Sequence, residues 1–149
     1  MFKSSRLWLI VACMILVSPT STVADGSTRA AKKWGLIGSW KLDCSKPTSD
    51  KNAALRYSIR KGKLVHNRNF GDRQDTNPVR SAIINADGTI ELTVYFPKVK
   101  MNRQFVLRND GGKRIRAISN RIANSSDYSI VDGKFAYNGK ETPWQYRCD

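Results

Sequence analysis

Two cysteines, Cys44 and Cys148, bracket nearly all of the strand-forming part of this chain, and that spacing restricts the folds open to it. Their meaning depends on what precedes them. Residues 1–6 carry Lys3 and Arg6 and no acid, residues 7–17 form an unbroken apolar run, and Thr22-Val23-Ala24 offers the small residues a signal peptidase reads. This is the three-part pattern of a secretory signal peptide. The apolar run falls short of the ~20 residues a helix needs to span a bilayer. The alternatives are an uncleaved anchor and lipid attachment at Cys13, within Ile-Val-Ala-Cys, although apolar residues continue past Cys13 where a lipoprotein turns polar. With residues 1–24 removed, Cys13 leaves and the odd cysteine count of 3 becomes even. In an oxidising compartment, periplasmic or extracellular, the remaining pair reads as a disulfide rather than a metal site. First and last strands can be joined in this way only if the sheet closes or returns on itself. The compact signal suits a bacterial exported protein.

The mature chain then divides into a small, polar or basic lead-in, residues 25–33, expected to be mobile, and one domain, residues 34–149. Turn signals recur along that domain: Lys61-Gly62, Asp87-Gly88, Asp110-Gly111-Gly112, Asp132-Gly133 and Asn138-Gly139. Asp-Gly and Asn-Gly suit tight hairpin turns, because glycine accepts positive φ without a Cβ clash. Between the turns lie runs with period-two alternation. Leu55, Tyr57 and Ile59 point one way against Arg56, Ser58 and Arg60; Ile90, Leu92, Val94 and Phe96 form a second apolar face against Glu91, Thr93 and Tyr95. Further strands are expected over 39–44, 63–69, 79–85, 103–108, 114–120, 128–131, 134–137 and 144–148, with no helical periodicity over three turns. The fold class is all-β: a single antiparallel meander barrel of about eight to ten short strands, with a β-sandwich as the alternative.

Gly38-Ser39-Trp40 opens the first strand and Arg147 closes the last. This arrangement resembles the Gly-x-Trp start of lipocalins and other calycin-type barrels, in which the tryptophan closes one end beneath a basic residue of the final strand. The resemblance implies a Trp40–Arg147 closing pair and a binding barrel. It covers the two ends and the hairpin-rich middle. Ser126-Asp127-Tyr128 is a near miss to a further lipocalin motif, Thr-Asp-Tyr, and the long helix that follows the lipocalin barrel has no counterpart here.

Little in the sequence argues for catalysis. His66 is the only histidine, no nucleophile-elbow motif occurs, and no spaced set of ligands calls for a metal. The expectation is a protein without enzymatic activity or cofactor, with His66 structural or exposed and Asp72-Arg73-Gln74-Asp75 a solvated turn. The charge excess, +14 over the whole chain, loses only Lys3 and Arg6 with the signal. Two basic clusters stand out: Lys98, Lys100 and Arg103, which follow Tyr95-Phe96-Pro97, and Lys113, Arg114 and Arg116. Together they form a candidate anion-binding face, since clustered cations concentrate anions at a surface.

Two function classes follow. One is a non-catalytic binding barrel for a small apolar or amphiphilic ligand, its cavity lined by Leu55, Tyr57, Ile59, Ile90, Leu92 and Val94. The other is a basic interaction protein that docks on anionic lipid, polysaccharide or an acidic partner, with inhibition of a secreted enzyme as a variant. For an exported chain, nucleic acid ranks below these envelope anions, and after cleavage no segment is long and apolar enough to serve as a membrane helix.

Overall fold

A computed structural model describes residues 23–149; residues 1–22 of the expected signal peptide, 1–24, lie outside the described residues. The described residues form one α-helix, α1 (Val23–Trp34), and ten strands: β1 (Gly38–Lys41), β2 (Ala54–Arg60), β3 (Lys63–Asn69), β4 (Gln74–Ile84), β5 (Ile90–Phe96), β6 (Met101–Asp110), β7 (Arg114–Ile122), β8 (Tyr128–Val131), β9 (Lys134–Phe135) and β10 (Gln145–Arg147). Neighbours pair antiparallel in sequence order from β1 to β9. The short β10 pairs with both β1 and β7 and so closes an eight-stranded barrel. Irregular register within β7 lets its first half take β10 while its second half takes β8. The β8–β9 hairpin therefore stands as a flange outside the ring.

The five turn signals fall at chain reversals. At Lys61-Gly62, φ is 49° and 73°, the two successive positive values of a type I′ turn. The Cys44–Cys148 disulfide spans 104 residues with Cα atoms 5.4 Å apart and fastens the loop after β1 to the end of β10. By loop-closure entropy a crosslink of this length contributes ~4–5 kcal/mol.

One end of the barrel is sealed, and the residues that resemble the calycin pattern seal it. Trp40 is fully buried, and its indole Nε1 donates to the Leu36 carbonyl at 3.0 Å. The Arg147 guanidinium lies 4.4 Å from the Trp40 ring centroid and donates to the carbonyls of Ile37, Gly35 and Gly112. Gly38, at φ +149°, is required here: a Cβ would collide with the Arg147 guanidinium and approach the Asp149 carboxylate to 2.9 Å. Leu36, Leu64, Ile90, Leu92, Val94 and Ile115 complete this apolar floor. Burial of each such side chain contributes about 1.5–3 kcal/mol.

The segment expected to be a mobile lead-in is instead α1. It packs across β4 and β3 through Ser27, Thr28, Ala31 and Trp34, all buried. Its stripe consists of small residues and a single aromatic, so it carries little apolar signal. Ser27 Oγ accepts from Ala82 N–H at 3.1 Å, Thr28 Oγ1 donates to Gly62 O at 3.2 Å, and Trp34 Nε1 donates to Gly88 O at 2.8 Å. Asp25 in the first turn and Lys32 and Lys33 in the last complement the helix dipole. Gly35, at φ +82°, then ends the helix: Gly35 N–H reaches Lys32 O and Leu36 N–H reaches Ala31 O, a Schellman closure.

Candidate functional site at the barrel mouth

Opposite the sealed floor, the interior turns polar. Cross-strand partners share a face of the sheet. Because Tyr57 and Ile59 face the core, their partners His66 and Leu64 do so as well, and Arg68 two residues further on continues the same face. On β4 the partners of His66 and Arg68 are Asn77 and Asp75. The β3–β4 wall thus carries two polar pairs above the apolar floor: His66 with Asn77, then Arg68 with Asp75 at the rim.

The rim pair is a forked ion pair. Arg68 Nε donates to Asp75 Oδ1 at 3.0 Å while Nη2 engages Oδ2, and Asn77 Nδ2 donates to Oδ1 at 2.6 Å. Burial pulls the Asp75 pKa upward, but the hydrogen bonds from Arg68 and Asn77 outweigh it and hold the carboxyl below its usual range. The Arg68 guanidinium also sits 4.6 Å from the centroid of Phe96 and 5.5 Å from that of Phe70. Arg73 covers the Phe70 ring at 4.5 Å and is paired with Asp50 at 2.8 Å. Between these groups opens a cleft of about 310 Å³, whose lining includes Arg68, Phe70, Asn77, Phe96, Lys98 and Val99. Among the described residues Lys98 has no ion-pair partner, and Arg68 Nη1 makes no hydrogen bond. The cleft therefore offers cationic donors beside aromatic and aliphatic surface, with the Asp75 carboxylate, held by Arg68 and Asn77, also in its wall.

The segment expected to be a solvated turn is shorter than expected. Residues 70–73 make the reversal, while Gln74 and Asp75 already belong to β4, which starts five residues before the expected strand. Asp75 is held inside by Arg68, which no local turn rule anticipates. His66, expected to be structural or exposed, is buried on β3.

The predicted cavity lining faces inward, but as packing. Ile90, Leu92 and Val94 are fully buried, Tyr57 is 3% exposed, and Leu55 packs against the same cluster, with Ile59 half-buried. None of the six lines the mouth cleft.

The six predicted anion-binding residues do not form one face. Lys98 and Lys100 flank the mouth, in and after the 3-10 turn Pro97–Val99. Arg103 pairs with core residue Val94 and is held by Asn120 Oδ1 and Ser129 Oγ, each at 2.9 Å. Lys113 and Arg114 lie at the floor end, where Arg114 is paired with Asp110. Arg116 is paired with Glu141 at 3.3 Å. Arg114 and Arg116 do share a side of β7, both covering the Trp144 ring at 4.5 and 5.0 Å. Alternation along β6 and β7 sends these side chains in different directions, and the chain reversal sends the clusters to opposite ends.

Comparison with known protein families, curated proteins and solved structures finds no match to this chain. The architecture is that of a closed antiparallel eight-stranded barrel, compatible with a calycin-type fold.

Proposed function

We propose that this chain is an exported, non-catalytic binding protein, distantly lipocalin-like, that holds a small amphiphilic anion at the open mouth of its barrel. One observation carries this reading: a filled, sealed floor lies below a rim that combines Arg68 and Lys98 with Phe70, Phe96 and Val99 around one cleft. An acid head would pair with the cations, and its apolar body would replace water on the rings. Charge-assisted hydrogen bonds of this kind are about twice as strong as neutral ones. The disulfide suits a compartment that keeps thiols oxidised.

The test is a fluorescence titration with 8-anilinonaphthalene-1-sulfonate, an anion on an apolar ring system. Saturable binding that weakens at least about fivefold in Lys98→Ala and Phe70→Ala supports the proposal; a loss of about 1 kcal/mol corresponds to that factor. Binding that ignores both substitutions but falls in Arg116→Ala would place the anion site on the outer face of β7 and defeat it.

A further inference from the structure

Beneath the rim lies a buried side chain whose polar atoms have no protein partner. His66 is 3% exposed, and neither Nδ1 nor Nε2 makes a hydrogen bond. Its ring stacks on Tyr57 with centroids 4.7 Å apart and 11° between planes, and meets Phe96 and Phe105 edge-on at 6.5 and 6.4 Å. A neutral imidazole carries one donor and one acceptor in either tautomer. Leaving both dry destabilises the fold, and buried polar groups are otherwise almost always satisfied. Phenylalanine would fill the same aromatic stack without that penalty, so packing alone does not account for histidine here.

The position connects the ring to the mouth. His66 and Arg68 lie two residues apart on one face of β3, about 7 Å at the rise of an extended strand. Asn77, which lines the cleft, is the direct cross-strand partner of His66, and Phe96, which also lines it, lies against the His66 ring. A flat molecule anchored by its acid head at Arg68 and Lys98, and slipping past Phe96, would meet the imidazole next. We propose that His66 is the second anchor of the mouth ligand, hydrogen-bonding a hydroxyl or carbonyl group carried about 7 Å from the acid head. The inference rests on the mouth being the ligand site. It narrows the ligand class to small, flat, largely apolar acids with a distal polar group, thin enough to reach the imidazole once the Phe96 ring, packed edge-on against it, moves aside.

The experiment compares cinnamate with 4-hydroxycinnamate, which adds one hydroxyl at the far end of the same flat body. Calorimetric titration of the mature, disulfide-bonded protein should show about tenfold tighter binding of the hydroxylated acid, the effect of one hydrogen bond to a previously unpaired buried group. His66→Phe should bind both acids with the weaker affinity and melt at a higher temperature. Independently of any variant, the ring ¹⁵N resonances of His66 should move with 4-hydroxycinnamate and not with cinnamate. Equal affinities in the wild type, a preference that survives in His66→Phe, or unmoved ring resonances would overturn the role of His66 while leaving the mouth as a site. If the wild type binds neither acid, the mouth reading fails and this inference fails with it.

Discussion

Replacing His66 with phenylalanine should stabilise the protein, and the gain should grow as the solution is acidified. Burial, reinforced by the positive charge of Arg68, pushes the His66 pKa down from 6.5 to about 3; Asp75 opposes the shift but does not reverse it. The native imidazole therefore stays neutral down to about pH 3, whereas the unfolded chain takes up a proton below about 6.5. Between those values the unfolded state binds more protons, so stability is highest above pH 6.5 and falls as the pH drops, by up to ~1.4 kcal/mol per unit. Across the whole window the loss is on the order of 4 kcal/mol, a large share of the 5–15 kcal/mol typical of a domain. At neutral pH the phenylalanine variant also escapes the burial of two unpaired nitrogens, a gain of about 1–3 kcal/mol. Urea unfolding of both proteins at half-unit steps from pH 7.5 to 3.5, with the disulfide intact, measures the difference directly. The two stability curves should diverge steadily below pH 6.5, with the variant above. Parallel curves across this range, or a variant less stable than the wild type at pH 7, would refute the dry, neutral histidine.

Other perturbations test the frame around it. Replacing Cys44 and Cys148 together with serine should lower stability by ~4–5 kcal/mol, read as a drop in the urea midpoint with the barrel's circular dichroism retained under mild conditions. Gly38→Ala forces a Cβ against the Arg147 guanidinium in a backbone region unsuited to side chains, and should cost about 1–3 kcal/mol by urea melt. Ala31→Leu inserts a larger side chain where α1 meets the barrel with no exposed surface, and should cost about 1–3 kcal/mol with selective loss of protection at the Ala82 amide in hydrogen exchange.

The parts of the fold legible in the sequence were those with a local code. Glycine turns and period-two runs placed β3 and β8 at their observed limits, and the cysteine count anticipated the bond that ties the barrel's ends. Trp40 and Arg147 were readable because the motif residues and the last strand carry their own signature. The helix was not, because its buried stripe of Ser27, Thr28 and Ala31 is small and offers one large apolar side chain, Trp34, at its end. The early start of β4 was hidden by Gln74, Asp75, Asn77 and Pro78, whose local preference is for turns; pairing with β3 overrides it. The rim site was missed for a related reason. Leu64, His66 and Arg68 alternate in register with Tyr57 and Leu55, so the same rule that oriented the apolar residues also sends Arg68 inward. Its ionic partner on β4 becomes visible only once the two strands are placed in register.

The most direct test of the account is a ¹H–¹⁵N correlation titration of the isotope-labelled mature protein with cinnamate. The account predicts saturable shifts confined to the mouth, at Arg68, Phe70, Gln74, Asn77 and Lys98, with the floor around Trp40 and Arg147 unmoved. Shifts centred instead on Arg114 and Arg116 of β7, or none at any concentration, would contradict it.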